Sequence, residues 1–367
     1  MLPRPLDWRR RTGTSRAAGA ILPVKRGQPV VMSLSTVEAS VPDKIAVLFV
    51  HGIEAAGEEL TNTAERRLAG AFTEASGTLA DDVLVVQTAY WVPVLADAQD
   101  RLVARLGGGD RTRWFFERLG SLAGRVSTGS VLALLPLLVG GAVRWLPGIG
   151  DFHWPALRWL AVHYVGDAVA YQGRSSPVYG RVHGVLAQKL RVLAEVAGPD
   201  APLVIVAHSL GAVVAGNYVY DLQAERVYSS APELPAEVRD VIGDTPLERG
   251  ETLARLFTLG SPLALYTLGW NPDELDRPLV VPDPAIAERL GHEPGWTNVY
   301  DPDDVIAAPL EGTSPAYAER VRDERVRVGP FPLGATPLAH PGYWNDRQVV
   351  RAIGRSVAEM RAALLDT

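Results

Sequence analysis

The sequence contains no cysteine and very little lysine, and the absence of cysteine narrows the chemistry open to the chain. The absence of cysteine from its 367 residues excludes a disulfide framework, thiol catalysis and thiolate zinc or iron–sulfur sites. Lysine occurs only at Lys25, Lys44 and Lys189, whereas arginine is abundant. Hydrophobic residues make up 47% and charged residues 21%, which is ordinary for a globular protein and excludes wholesale disorder.

Acidic side chains are nearly missing from the N-terminal segment. Residues 1–26 contain seven basic side chains and one acid, which gives +6 and leaves −12 for the rest of a chain with a net charge of −6. The acidic total argues against a surface that coats nucleic acid. The apolar stretch at 17–24 is too short and too interrupted for an export signal, so we predict a disordered basic tail over residues 1–40 and a cytoplasmic protein.

No apolar run in the sequence is long enough to cross a membrane. The most apolar segment, residues 131–143, has 13 residues and no charge, whereas a spanning helix needs about 20. It is also interrupted by Pro136, Gly140 and Gly141. The segment is predicted either to be buried in a helical cap or to dip into a membrane surface, which would give the protein a peripheral membrane contact.

Strand-like runs alternate with helix-like ones, which predicts an α/β fold with a mostly parallel sheet and helices on both faces. The apolar runs at 45–50 and 203–207 are typical of strands buried on both sides. Ser176 and Pro177 predict the start of a helix that reaches Ala197. Further strands are predicted to begin near 83 and to span 256–259, 297–300 and 326–328, and further helices to span 211–226 and to follow Asn345 or Asp346.

One interval of about 85 residues, between the second strand and Ser176, has little strand character, and a loop that long does not stay structureless in a compact domain. We therefore predict one α/β domain over residues 41–367 with a helical cap or lid inserted at about 92–175. The insertion contains the apolar run and four tryptophans, Trp114, Trp145, Trp154 and Trp159.

The motif Ala207-His208-Ser209-Leu210-Gly211 follows a predicted buried strand and opens a predicted helix. This is the arrangement of a nucleophile elbow, in which small residues stand two before and two after the serine because the turn is tight. The turn holds the hydroxyl clear of the backbone, and the helix N-terminus behind it favours developing negative charge. We predict that Ser209 is a nucleophile.

An oxyanion hole needs two preorganised backbone N–H groups aimed at the tetrahedral intermediate. One is expected from Leu210, directly after the nucleophile. The other is expected from the loop that follows the strand at 45–50, with Ile53 favoured and Gly52 as the alternative. The competing interpretation of this loop is an ordinary strand-end turn with a buried, hydrogen-bonded His51.

Five motifs, taken in order, resemble α/β-hydrolase fold serine hydrolases and look most like the bacterial lipase and esterase branches. The resemblance covers roughly residues 43–91 and 176–365, and it implies the α/β-hydrolase fold with a triad in the order Ser, acid, His. A serine nucleophile excludes the epoxide-hydrolase and dehalogenase branches. The motifs are VLFVHGI, IVAHSLG, TLGSPL, TNVYDPDDVIAAPL and AHPGYW.

The resemblance places the triad acid in the loop after the strand at 297–300, where Asp301, Asp303 and Asp304 are all available. Asp304 is favoured because the acid of lipase-like sequences directly precedes a short apolar pair. The other two are expected to be turn residues. No companion ligands show the spacing of a metal site, so no metal is expected here.

The resemblance places the triad base at His340, in a loop rich in proline and glycine after the last strand. His292 competes less well because it precedes the acid, against the family order. His208 is expected to pack against neighbouring strands or to shape the site. The remaining candidates, expected in the cap or on the surface, are His153, His163 and His183.

Together these residues predict a serine hydrolase that cleaves carboxylic esters through an acyl-enzyme without a cofactor. The apolar cap favours a lipid-like or apolar acyl substrate, and no nucleic-acid partner is expected. Thioesterases, amidases and acyltransferases would use the same triad. A different class, a non-catalytic protein that sits on a membrane or a partner, remains the alternative.

Overall fold

The computed structural model describes residues 43–52, 57–95, 101, 105, 166–171, 176–228, 234–290, 294–329 and 337–366. The predicted tail at 1–40, the apolar run at 131–143 and most of the predicted cap at about 92–175 lie outside these ranges. Across the described ranges, no helix is both long enough and apolar enough to span a membrane.

The described part of the chain builds one six-stranded sheet in which all neighbouring strands are parallel. The strand order is β2-β1-β3-β4-β5-β6, so the predicted α/β fold with a parallel sheet is confirmed. The strands are β1 (Ile45–Val50), β2 (Leu84–Ala89), β3 (Leu203–His208), β4 (Leu253–Leu259), β5 (Trp296–Tyr300) and β6 (Val321–Arg325).

Helices precede and follow these strands along the chain. In the described ranges they are α1 (Gly57–Ser76), α2 (Ala80–Val83), α3 (Gly166–Tyr171), α4 (Pro177–Ala197), α5 (Leu210–Val227), α6 (Ala236–Arg239), α7 (Leu263–Tyr266), α8 (Pro272–Leu275), α9 (Pro284–Leu290), α10 (Pro315–Ala318) and α11 (Arg347–Leu365). Short 3₁₀-helices span Thr267–Gly269, Glu311–Thr313 and Pro337–Asn345.

The sheet is covered on both faces, which explains why β1 is apolar throughout and β3 is apolar up to its last residue, His208. Alternate residues of β1 point to opposite sides, so Leu48 joins one core cluster and Phe49 the other. Helices α4 and α5 cover the first side, here called the α4–α5 face, and α1 and α11 cover the second, the α1–α11 face. The helices of the second face approach so closely that a Cβ on Gly354 would lie 2.7 Å from the Cβ of Ala71.

Most predicted boundaries agree with the structure to within a few residues. The hydroxyl of Ser176 accepts a hydrogen bond from the backbone N–H of Val178 at 3.1 Å, so the prediction that Ser176 is the N-cap residue of α4 is confirmed. Asp346, one of the two predicted caps of the last helix, accepts from the N–H groups of Gln348 and Val349.

The predicted strand at 326–328 is wrong, because the last strand in the described part of the chain is Val321–Arg325 and residues 326–328 lie beyond it. The sequence of this strand, VRDER, lacks an apolar run because β6 lies at the edge of the sheet and is only partly buried. Val326 and Val328 are buried against the core, but the N–H of Val328 donates to the Asp301 carboxylate at 2.7 Å. The N–H of Val326 still donates to the carbonyl oxygen of Tyr300, the last residue of β5, at 2.9 Å. The two buried valines thus follow directly on the strand, and their burial is what predicted a strand at this place.

The strand order creates a crevice at the carboxyl end of the sheet. From β1 the chain first adds β2 on one side and later β3 on the other, so the direction of winding changes between β1 and β3. Ligands of open α/β sheets bind outside the carboxyl ends of the strands at such a point. His51 and Gly52 directly follow the last residue of β1, and Ser209 directly follows the last residue of β3.

Candidate active site

Ser209 occupies a strained turn between β3 and α5. Its φ of 56° and ψ of −133° make it the one non-glycine residue with positive φ in the described part of the chain. Such a conformation costs on the order of 1–3 kcal/mol and persists only where the surroundings impose it. A Cβ on Gly211 would lie 2.3 Å from the carbonyl oxygen of His51, and one on Gly52 would lie 2.6 Å from the Cβ of Ser209. The glycine predicted two residues after the serine is therefore required by close backbone approach, and so is Gly52 in the loop after β1.

A continuous hydrogen-bonded chain joins Asp304, His340 and Ser209. The Nε2 atom of His340 lies 2.8 Å from the Oγ of Ser209, and its Nδ1 lies 2.7 Å from the Oδ2 of Asp304. All three residues are buried. A carboxylate can only accept, so Nδ1 carries a proton, and in the neutral ring Nε2 is left to accept from the serine hydroxyl. The histidine is thus placed to remove the proton of Ser209.

The three aspartates of the loop after β5 have different surroundings. Asp304 is the one whose carboxylate contacts His340. Asp301 is fully buried, and its two oxygens accept from the N–H groups of Asp303 at 2.9 Å and Val328 at 2.7 Å, which fixes the shape of the loop. Asp303 is exposed. The loop therefore brings Asp304 to the site and leaves the other two as turn residues.

Tyr343 belongs to the site, although sequence reasoning gave it no role. Its hydroxyl donates to the Oδ2 of Asp304 at 3.1 Å and accepts from the backbone N–H of Asp301 at 2.8 Å. Burial and the adjacent charge of Asp304 raise the pKa of Tyr343, so it remains a donor. Gly260, with φ of 55°, leaves room for the ring, since a Cβ there would lie 2.6 Å from Tyr343 Cε2. The motif AHPGYW contains Tyr343, but the motif alone does not reveal what the hydroxyl contacts.

Two further histidines surround the chain of hydrogen bonds. The Nε2–H of His208 donates to the carbonyl oxygen of His340 at 2.9 Å, and burial together with the nearby His340 lowers the pKa of His208 well below its usual value. His51 is buried, stacks on Tyr90 and packs at 5.0 Å from Trp344. Burial lowers the pKa of His51 to about 4. Both rings are therefore uncharged near neutral pH.

The predicted oxyanion donors are only partly described. Leu210 is the first residue of α5, and the first amides of a helix have no intrahelical acceptor. Its N–H therefore lies at the positive end of an 18-residue helix, directly behind Ser209. Gly52 lies against the Ser209 side chain. Ile53 falls outside the described residues, so its N–H stays a prediction.

A small cleft opens above Ser209, with a volume of about 320 Å³ that includes open solvent. In the described ranges, no group of three or more histidine and carboxylate side chains is arranged to hold a metal ion. The residues lining the cleft are His51, Gly52, His208, Ser209, His340, Pro341 and Trp344.

The expectation that His183 lies in the cap or on the surface is wrong. Its side chain is fully buried on α4, where its Nε2 lies 2.8 Å from the hydroxyl of Tyr171 and its Nδ1 lies 3.5 Å from Asp221. Its ring also packs at 4.0 Å from that of Tyr179. Histidine is polar enough to suggest exposure, but here aromatic and acidic neighbours accommodate it. His153, His163 and His292 lie outside the described residues.

Comparison of the chain with models of protein families, with curated proteins and with solved structures finds no match. The functional inference therefore rests on the fold and on the geometry around Ser209.

Proposed function

We propose that the protein is a serine hydrolase with the α/β-hydrolase fold, which cleaves carboxylic esters through an acyl-enzyme. The observation that carries the proposal is the hydrogen-bonded chain from Asp304 through His340 to Ser209 at the carboxyl end of a parallel sheet. The elements agree with it: the serine follows β3 directly, the acid follows β5 and the histidine follows β6. This is the order Ser, acid, His expected of the α/β-hydrolase fold.

The proposed reaction begins when His340 removes the proton of Ser209 as the Oγ attacks the ester carbonyl. Asp304 holds the Nδ1–H tautomer of the ring and stabilises the imidazolium that forms. The oxyanion is stabilised by the N–H of Leu210 and by a second donor from the loop after β1, for which Ile53 is favoured. His340 then gives its proton to the leaving alcohol, and a water activated by the same ring releases the acid.

An uncharged, apolar ester is the substrate class that the described part of the cleft supports best. Its lining holds Trp344, Pro341 and the rings of His51 and His208, and burial keeps both of those histidines neutral. A charged substrate would find no counter-charge among these lining residues, whereas an apolar group would contact the aromatic surface. The apolar run at 131–143 and the tryptophans of the insertion favour a lipid-like acyl group.

The test is covalent labelling and turnover of the wild type and of Ser209→Ala. We expect a fluorophosphonate probe to label the wild type at Ser209, and a series of short- and long-chain p-nitrophenyl esters to be hydrolysed. Ser209→Ala should not be labelled and should lose at least about a thousandfold in kcat/KM, because it lacks the nucleophile.

Ser314→Ala is the matched control, because Ser314 caps α10 and takes no part in the site. It should keep both labelling and turnover. Equal turnover by the wild type and Ser209→Ala, or a wild type that the probe does not label, would overturn the proposal.

A further inference from the structure

We propose that Tyr343 is a positioning residue that fixes the carboxylate of Asp304 in the orientation that His340 requires. This inference rests on the proposed function, because it assigns a role in the same site. Tyr343 does not contact the reacting atoms, and it acts through Asp304.

The proton of the Tyr343 hydroxyl has a single direction open to it. The hydroxyl oxygen already accepts a hydrogen bond from the N–H of Asp301, so its own proton is directed to the Oδ2 of Asp304. The same oxygen accepts from the Nδ1–H of His340, while Oδ1 accepts from the N–H of Ile306 at 3.2 Å. Three donors therefore hold the carboxylate, and rotation about its Cβ–Cγ bond would break all of them.

His340 and Tyr343 contact Asp304 together because of the local helix type. Both lie on the 3₁₀-helix Pro337–Asn345, three residues apart. In a 3₁₀-helix, residues i and i+3 lie on the same side, one above the other. The spacing therefore presents an imidazole N–H and a phenol O–H to one carboxylate oxygen from a single turn.

Packing holds the Tyr343 ring in this place. The residue is fully buried, and its ring lies 5.7 Å from that of His208. On another side the ring is so close to Gly260 that a Cβ there would overlap it. The hydroxyl is therefore held in place before any substrate arrives, which is the condition for orienting a reactive group without a cost during the reaction.

The hydrogen bond from Tyr343 also offsets part of the negative charge of Asp304, which acts on the neighbouring ring of His340. The polar groups facing His340 are Asp304, Ser209, His208 and Tyr343. Removing the phenol hydroxyl leaves the charge of Asp304 less neutralised, and the imidazolium form of His340 then becomes easier to reach. Loss of the hydroxyl should thus change proton affinity at a ring that Tyr343 does not itself hydrogen-bond.

The first experiment reads this ring directly and does not depend on turnover. Histidine is labelled with ¹⁵N in the full chain, and the titration midpoint of His340 is measured in the wild type and in Tyr343→Phe. We expect the midpoint to rise by about half a pH unit in Tyr343→Phe, which corresponds to about a threefold change in proton affinity. An unchanged midpoint in a folded variant overturns the proposal.

Tyr218→Phe is the matched control. Tyr218 is also fully buried, and among the described residues its hydroxyl has no hydrogen-bond partner. It lies nine residues beyond Ser209 on α5, which is about 13 Å along the helix axis. The same chemical change there should leave the His340 midpoint where it is in the wild type.

The second experiment separates positioning from a loss of folded protein. Tyr343→Phe should lower kcat by about tenfold with KM within about twofold, and move the acidic limb of the kcat/KM profile to higher pH. A merely structural defect would lower the active fraction without moving the profile. In an Asp304→Asn background, Tyr343→Phe should cost less than about twofold, because the charged acceptor is already gone. If the losses of activity in Tyr343→Phe and Asp304→Asn were additive, the positioning role of Tyr343 would be overturned. A wild type without turnover would instead overturn the hydrolase proposal, and the titration of His340 would then decide the role of Tyr343.

Discussion

At the scale of single residues, the backbone of Ser209 stands out because its conformation favours glycine and not serine. A positive φ at a residue with a Cβ is a local cost that the surrounding structure must impose. Here the imposed turn brings Oγ to within 2.8 Å of His340. The strain therefore accompanies the placement of the hydroxyl and does not improve packing.

This strain predicts that, of two variants that both lack the nucleophile, the one that also lacks the Cβ is the more stable. In Ser209→Gly the positive φ has no steric cost, whereas in Ser209→Ala the remaining Cβ keeps that cost. We expect Ser209→Gly to be more stable to urea than Ser209→Ala by about 1 kcal/mol, after allowing for the chain entropy of glycine.

The matched pair lies at Ser356, in the interior of α11. There Ser356→Gly should be less stable than Ser356→Ala by about 1 kcal/mol, because ordinary helical φ and ψ favour alanine. The same sign at both positions would show that the Ser209 turn stores no strain.

The sequence predicts which elements carry the site better than it predicts which residue of a loop takes part in it. The elbow around Ser209 was predictable because a buried strand, small residues and a helix occur in immediate succession. Asp301, Asp303 and Asp304 were not separable with the same certainty, because all three suit a turn. Their difference lies in partners that are distant in sequence, such as Val328 and His340. Tyr343 was missed for the same reason.

At the scale of elements, the turn from β3 into α5 is limited by the end of β1. The second small residue of the elbow, Gly211, already belongs to the first turn of α5 and faces the carbonyls of Val50 and His51. The packing of a helix start against a strand end therefore fixes this position as glycine.

Two glycines of α5 test this conclusion. A Cβ on Gly211 would lie 2.3 Å from a backbone oxygen, whereas one on Gly216 would meet nothing closer than a Leu263 methyl group at 4.0 Å. Gly211→Ala should lower the free energy of unfolding by more than about 3 kcal/mol or prevent folding. Gly216→Ala should be neutral or stabilising by up to about 1 kcal/mol, since alanine favours the helix. Urea unfolding followed by circular dichroism measures both, and equal effects would contradict the close approach.

Strand prediction succeeded for β1 and β3 in the centre of the sheet and for β2 at one edge, but it failed for β6 at the other edge. Strands β1 and β3 are buried on both sides, so their sequences are apolar except for His208 at the end of β3. Among the described strands, β6 has a neighbour on one side only, and it carries the charged sequence VRDER. Hydropathy reports burial and not hydrogen bonding, so it indicated the buried valines that follow the strand.

At the scale of the whole molecule, burial of histidine makes stability depend on pH. Burial lowers the pKa of His51 to about 4 and that of His208 well below its usual value. An unfolded chain binds a proton at each histidine near pH 6.5, but the folded protein does not. The stabilisation is therefore complete above about pH 6.5 and is lost as the pH falls towards about 4.

His51→Gln tests this dependence. Between about pH 7.5 and about pH 5, His51 alone should lower the free energy of unfolding of the wild type by about 2 kcal/mol. His51→Gln should lose about 2 kcal/mol less over the same interval, because its side chain does not titrate. Urea titrations at the two pH values supply the comparison, and parallel losses in both proteins would contradict a lowered pKa at His51.

The covering of β1 by α11, an element far away in sequence, has a consequence for the synthesis of the chain. Strand β1 is the first described strand, and α11, which helps to cover one of its faces, is the last described helix. About 300 residues separate them, so at about 5–20 residues per second the ribosome makes β1 roughly 15–60 s before α11. During that time Val47 and Phe49 cannot be covered by α11. A nascent chain that stalls before Arg347 therefore presents an unfinished core to chaperones or to aggregation, and the native molecule forms only after α11 has emerged.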